Sequence, residues 1–251
     1  MPHTRDILPG GRYAVVSCHV ERPLDDEVWE RFSALQERAP GGFRIAALMR
    51  PPEPAAGEDE PRWHERARQA AEYGPLGLHT HWTAPDHARP TGGDPAARVR
   101  EQARWLQAAG HDVSLFCGGG WYMDTPLAEA LAELGYVDCT ATAFRPRYLA
   151  AEAPRLGARH PCYVELPSGR RLLEFPTTHS IGMLARGLLG PFFGPVVHAY
   201  FHDTDLLDSF RSAALRFGLA FLAAKRTRTD LARLQRGFEP TKTMSLANSR
   251  G

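Results

Sequence analysis

The sequence predicts an α/β fold arranged as one barrel-like domain, and three observations carry that expectation. Short β-branched apolar runs alternate with longer stretches of helical period, the pattern of repeated βα units. Asp, Pro and Gly punctuate the boundaries between them. The 251 residues hold no internal repeat, low-complexity tract or linker, and that length suits a single α/β domain with a substantial core.

Taken in order, Tyr13–Cys18 (YAVVSC) is short and β-branched and reads as a buried strand. Leu24–Arg38 carries Leu24, Val28, Phe32 and Leu35 at helical spacing, with Asp25, Asp26 and Glu27 where the helix dipole favours acids. Phe43–Leu48 is a second strand. Arg50–Glu60, rich in Pro, Glu, Ala and Gly, has the composition of a disordered loop. A helix over Pro61–Glu72 leads to a strand near Leu76–His79. After a turn at Thr91–Asp94, a helix over Pro95–Ala109 is closed by Gly110. Val113–Phe116 is the next strand and runs into Gly118–Gly120. Thr125–Leu134 is a helix ended by Gly135, and Val137–Cys139 is a short strand. Cys162–Leu166 and Arg170–Phe175 flank Pro-Ser-Gly and predict a hairpin. Val196–Phe201 is the last strong strand, followed by a helix from about Asp205 to Ala224 and another over Asp230–Arg236. The core is expected over about 12–236, with 237–251 an unpacked tail.

Charge is balanced at 30 Lys+Arg against 29 Asp+Glu, which argues against nucleic-acid or anionic-membrane partners. The basic stretch Lys225, Arg226, Arg228 is a solvated helix end. Met1–Arg12 is polar, with Pro2 and Pro9, and has neither a signal peptide's apolar segment nor a membrane anchor. No run reaches the ~18 apolar residues of a membrane span. Cys18, Cys117, Cys139 and Cys162 are widely spaced and read as reduced thiols, so a cytoplasmic location is expected.

Groups able to hold a metal or move protons gather at predicted strand ends, where α/β barrels build their sites. The first strand runs out into Cys18-His19-Val20-Glu21, and strand alternation points His19 and Glu21 one way and Cys18 the other. The same parity places His79 and His81 of Gly77–Trp82 together. The last strand ends in Tyr200-Phe201-His202-Asp203. Two imidazoles and a carboxylate, with positions left for water, are a common catalytic metal set. A further His can protonate a departing amine. His64, His111, His160 and His179 read as ordinary histidines, and Asp205 as a helix cap. Gly118–Gly120 matches neither a P-loop nor a dinucleotide fingerprint, so it is taken as a site turn where backbone passes closely. No Gly-x-Ser-x-Gly elbow is present.

In this order the pieces resemble the polysaccharide deacetylase family, the NodB-homology domains, from about Tyr13 to Leu207. FCGGGWYMDTPLAEALAELGYVDCTAT (Phe116–Thr142) is similar to the family's third motif with the helix and strand after it. GLHTHW (Gly77–Trp82) resembles the second motif, VHAYFHDTDLL (Val197–Leu207) the last, and VVSCHVE (Val15–Glu21) sits where the first belongs. The resemblance implies a distorted (β/α)7 barrel, a divalent metal, most often Zn2+, and removal of an N-acyl group, usually acetyl, from an amino sugar or sugar-containing metabolite. By position, Glu21, His79 and His81 would be metal ligands and His202 the general acid. Gly119, Trp121, Tyr122 and Asp203 would face the substrate, with a structural role for the two aromatics equally open.

The departures are specific. His19 stands where the family has an aspartate base, and Cys117 where it has the arginine that pairs with that aspartate. A carboxylate favours a guanidinium neighbour, whereas a neutral imidazole base is hindered by one, so losing both together is coherent. His19 is then the base, or itself a metal ligand, or a remnant of lost catalysis. His-x-His is also an unusual spacing for the second motif, and His87 is an alternative to His81. The other functions left open are a related barrel with changed C–N, redox or isomerase chemistry, and a degenerate carbohydrate-binding protein. Oligomeric state is not legible.

Overall fold

A computed structural model describes residues 7–8, 10–150, 153–187 and 194–246. Met1–Asp6, on which much of the N-terminal expectation rests, and 247–251 of the expected tail lie outside the described residues.

The fold is α/β: a mostly parallel sheet flanked by helices. Strands β1 (Tyr13–Val20), β2 (Ala46–Met49), β3 (Leu76–Thr80), β4 (Leu115–Gly118) and β5 (Val137–Asp138) alternate with helices α1 (Asp26–Arg38), α2 (Glu60–Tyr73), α3 (Pro95–Ala108) and α4 (Thr125–Leu134). The antiparallel pair β6 (Cys162–Glu165) and β7 (Arg171–Glu174) comes next, as the Pro-Ser-Gly turn predicts. Then come β8 (His179–Ser180), α5 (Ile181–Gly187), β9 (Val196–His202), α6 (Ser209–Lys225), β10 (Thr227–Arg228), α7 (Leu231–Gly237) and β11 (Thr243–Ser245).

Six of these helices start on an aspartate whose side chain accepts from a first-turn amide: Asp25, Asp59, Asp94, Asp124, Asp208 and Asp230. Each such cap contributes about 1 kcal/mol, which is why the boundaries were readable. One boundary differs. The single helix expected from Asp205 is a 3₁₀ turn over Asp203–Leu207, and α6 begins afresh after the Asp208 cap.

The sheet runs β11-β6-β7-β5-β4-β3-β2-β1-β9-β8, with β10 beside β1. The segment from β7 to β8 bonds to both flanks. Thr177 N donates to Ala141 O at 2.8 Å, after β5, and Thr178 N donates to His198 O at 2.9 Å, on β9. The two flanks therefore meet on one segment, the arrangement of a seven-stave barrel. His198 reinforces the junction: Nδ1 meets Phe175 O at 3.1 Å and Nε2 meets Ser17 Oγ at 2.8 Å.

Strand parity sorts the core into two faces. Ala14, Val16, Cys18 and Val20 pack outward with Met49, Leu78 and Phe116 against the helices. Tyr13, Val15, Leu48, Leu115, Cys117, Val137 and Phe175 fill the interior, and Leu231 and Leu234 of α7 join them. Cys18 thus lies on the face away from the interior, as alternation requires. All four cysteines are free and buried. No helix of the described residues is long and apolar enough to cross a membrane.

Two expectations are corrected. Arg50–Glu60 is ordered: Arg50, 5 % exposed, grips both Glu58 carboxylate oxygens, at 2.8 and 2.6 Å, and a 3₁₀ turn spans Pro54–Ala56. A half-buried ion pair fixes a segment whose composition alone reads as loose. The chain after Gly237 is also not simply a free end, because β11 adds to the sheet in parallel beside β6. A three-residue strand with an alternating polar pattern carries no periodicity to read.

Candidate metal centre and its surrounding residues

The interior-facing residues at the C-terminal ends of β1, β3, β4 and β9 converge. His79 stands in register with Cys117, and His19 with His202, so one end of the barrel holds a cluster of imidazoles beside a thiol. Glu21 comes just after β1 and His81 just after β3. Glu21 Oε1 lies 3.7 Å from His79 Nε2, 3.5 Å from His81 Nε2 and 3.7 Å from His202 Nε2.

The hydrogen bonds around the two histidines of β3 define what those nitrogens are. His79 Nδ1 is 3.0 Å from Cys117 O, and His81 Nδ1 is 2.6 Å from Pro85 O. A carbonyl only accepts, so each Nδ1 carries the ring proton and, in the neutral ring, each Nε2 is a bare lone pair. Burial is the largest influence on His79 and pulls its pKa down, favouring that neutral form. Both Nε2 atoms are buried without a hydrogen-bond partner. Burial tends to raise the Glu21 pKa, but positive charge or donors on His79, His81 and His202 reverse this and hold it well below the usual carboxylate range, the same influence a cation between these groups would exert. Two lone pairs and an ionised carboxylate facing one another are acceptors only, an arrangement that calls for a cation between them. The spacing suits one, since bonds of about 2.0–2.1 Å to a tetrahedral zinc put neighbouring donor atoms about 3.4 Å apart. The donor set fits a divalent metal.

The surroundings are built to hold Glu21. Arg50 Nε donates to Glu21 O at 2.8 Å. Asp203, wholly buried, accepts from Arg22 N and Thr204 N at 2.8 Å each. Burial leads the influences on Asp203 and pushes its pKa up to about 6. Its oxygens thus serve the chain beside Glu21, whereas the sequence assigns Asp203 to the substrate. Asp205 caps the turn as expected, accepting from His202 N at 3.0 Å, and also stands 3.8 Å from His202 Nδ1.

The two remaining imidazoles differ in environment. His19 is 2 % exposed, and burial, then His79 and His202, push its pKa well down. For His202 burial acts the same way, but Asp205, Glu21 and Asp203 outweigh it and raise the pKa. His19 Nε2 meets Cys117 Sγ at 3.5 Å, and its ring stacks on His79 with centroids 4.6 Å apart.

The glycine turn lies against the cluster. A Cβ on Gly119 would sit 2.6 Å from Thr80 O and 3.1 Å from the His81 ring, so only glycine leaves His81 where it is. Trp121 adopts φ +59° and is buried against His19, Tyr200 and Phe144. Tyr122 is farther out, its hydroxyl on Asp124 Oδ2 at 2.6 Å and its ring against Trp82 and Arg89. His87 pairs with Asp86 in the open, 60 % exposed, and it is His81 that meets Glu21. Arg50, Tyr200 and Phe144 were not singled out from sequence. Parity with His202 marks Tyr200 as inward-facing, whereas the Arg50–Glu21 bond joins residues 29 apart and has no sequence signal.

No protein-family model and no curated protein matches the chain. Solved structures do. A protein assigned as a polysaccharide deacetylase of Mycobacterium smegmatis superposes with a TM-score of 0.64 at 15 % identity, covering 94 % of this chain and 93 % of its own. A mutant CE4-family pseudoenzyme with restored enzymatic activity gives 0.55 at 10 % identity, over 94 % and 71 %. The 4-alpha-glucanotransferase of Thermococcus litoralis gives 0.57 at 13 % identity, over 94 % of this chain and 42 % of that one. The chain has the fold of the polysaccharide deacetylases, a fold that also serves a glucanotransferase.

Proposed function

We propose that this chain is a metal-dependent hydrolase that removes an N-acyl group, acetyl in the leading case, from an amino sugar or sugar-containing metabolite. The observation that carries it is the pair of unpartnered, buried Nε2 atoms of His79 and His81 aimed at Glu21. A divalent ion held by these three residues, with Zn2+ the first choice, would supply Lewis acidity toward water and an amide carbonyl. His19, a buried neutral imidazole, accepts the proton that water gives up. His202 keeps its proton beside Asp205 and Glu21 and delivers it to the departing amine. Paired groups whose surroundings push their pKa values apart are the mark of such a division of labour. Backbone amides of Gly118–Gly120 are the candidates for steadying the developing oxyanion.

The sugar class is supported by the deacetylase among the similar folds and by aromatic residues beside the cluster. Tyr148, 69 % exposed, reaches the edge of Trp121, and aromatic faces suit the apolar face of a sugar ring.

The test pairs metal content with acetate release. Protein purified without chelator should hold about one equivalent of a divalent ion, as a three-ligand catalytic site requires, and His79→Ala should lose it. The metal-loaded wild type should release acetate from N-acetylated amino sugars. A chain that cannot be loaded with any divalent ion sinks the mechanism. Metal without acetate release from a panel of such sugars sinks the substrate class.

A further inference from the structure

Three buried residues on the inner side of the cluster have no place in that scheme as a set: His19, His79 and Cys117. Each offers one donor atom, and these atoms all lie within 4.8 Å of one another, on residues that are 2 %, 2 % and 0 % exposed. We propose that they form a second, sulfur-bearing metal pocket that overlaps the first through His79 and takes thiophilic divalent ions. The inference rests on the metal site proposed above and adds to it a competing position.

The geometry suits coordination. Zinc–sulfur and zinc–nitrogen bonds of about 2.3 and 2.05 Å place tetrahedral S and N donors about 3.5 Å apart, and Cys117 Sγ stands 3.5 Å from His19 Nε2. A thiol–imidazole hydrogen bond has the same span. What separates the two is His79, which offers a third donor within reach of both and whose Nε2 is buried and unpartnered. Cys117 also orients that donor, because its own carbonyl accepts from His79 Nδ1 at 3.0 Å and leaves Nε2 bare. The backbone of one residue fixes the ring while its side chain supplies the soft ligand.

One imidazole lone pair binds one ion. An ion in the sulfur pocket therefore takes His79 from Glu21 and His81, and also ties up His19. Thiolate selects soft ions, and carboxylate with imidazole takes harder ones as well. Occupancy of the two positions is mutually exclusive, and the sulfur position is non-productive. Entry is past Glu21 and His202, whose side chains are 29 % and 35 % exposed. Binding at sulfur breaks the S–H bond and sends one proton to buffer for each ion taken up.

Cadmium reports the pocket directly, because a cadmium–thiolate bond gives a near-ultraviolet charge-transfer band that nitrogen and oxygen ligands do not. Titrating the metal-free chain with Cd2+ should produce that band at one equivalent. Cys117→Ser should lose it, and Glu21→Gln should keep it. Cd2+ binding without a band in wild type overturns the inference, with no variant needed. So does a band that survives Cys117→Ser, since it would come from Cys18, Cys139 or Cys162. The outcomes separate the two proposals: acetate release with no sulfur band removes this one alone, and a Cys117-dependent band with no acetate release removes the deacetylase alone.

Discussion

His198 and His79 are both fully buried imidazoles on the inner face of one barrel, and they are partnered in opposite ways. His198 uses both nitrogens, Nδ1 on the Phe175 carbonyl and Nε2 on the Ser17 hydroxyl, and so ties β9 to β1 and to the segment that joins the sheet's flanks. His79 uses Nδ1 in the same manner but leaves Nε2 bare toward Glu21. The first is closed by its own chain and is structural. The second is half-closed, and its open half points at other acceptors, which is how a chain prepares a ligand position. A buried histidine says little until both nitrogens are accounted for.

A third buried polar group, on the opposite face of the sheet, sharpens the contrast. Asp138 and Glu174 stand in register on β5 and β7, both 0 % exposed. Asp138 Oδ2 and both Glu174 oxygens have no ordinary partner. Here the remedy is a proton: burial first, then Asp138, raises the Glu174 pKa well above its usual range, and a protonated Glu174 donates to Asp138. Acceptors facing acceptors need a cation at the mouth and a shared proton here, because burial favours the neutral form of each group: a carboxyl becomes neutral by gaining a proton, His79 by going without a second one.

The largest effect expected from this comparison is on stability. Folded His198 titrates at about 4, mainly through burial, against 6.5 for a free imidazole. Between those values the unfolded chain binds a proton that the folded chain refuses, so stability rises with pH across the window. About 3 kcal/mol is lost as pH falls from 6.5 to 4. His198→Gln should flatten the dependence of unfolding free energy on pH over that range, relative to wild type. Parallel curves would break the claim that His198 is a closed, neutral ring.

Next in size is the support of Glu21 by Arg50. Arg50→Ala should weaken zinc binding by about 10- to 100-fold, the usual effect of removing a group that orients a ligand. Arg50→Lys should not restore it, because an ammonium cannot hold Glu21 O and both Glu58 oxygens in one plane. Competition titration with a chromogenic chelator gives the number, and an unchanged affinity would make Arg50 purely structural.

The smallest effect concerns the acid pair. A raised carboxyl pKa favours the fold below the unfolded value and loses that advantage as pH rises, because the unfolded chain gives up its proton first. Glu174→Gln should make the fall in Tm between pH 5 and 8 shallower and leave zinc affinity unchanged. A change in metal binding would mean that the two faces of the sheet are coupled.

Much of the fold was legible because its signals are local. Asp124-Thr-Pro announces α4 through a side chain that reaches three residues ahead, and YAVVSC announces β1 by β-branching. β8, α5, β10 and β11 were missed, being two to seven residues long and held by neighbours rather than by propensity. The site divided in the same manner. Parity within one strand placed His19 with Glu21 and His79 with His81, and turned Cys18 away. Parity cannot reach across strands, so the contact of His19 with Cys117, 98 residues apart, and the choice of His81 over His87 waited for register and loop path.

The sequence by itself determined which residues face inward, where five of the six Asp-capped helices begin and that imidazoles and a carboxylate stand at strand ends, because all of these come from 3.6- and 2-residue periods and short-range caps. Only the tertiary structure decided which nitrogens are left bare. That depends on the carbonyls of Cys117 and Pro85 arriving at His79 and His81, and the position of a backbone oxygen is set by strand register and turn geometry, not by the identity of the residue that carries it.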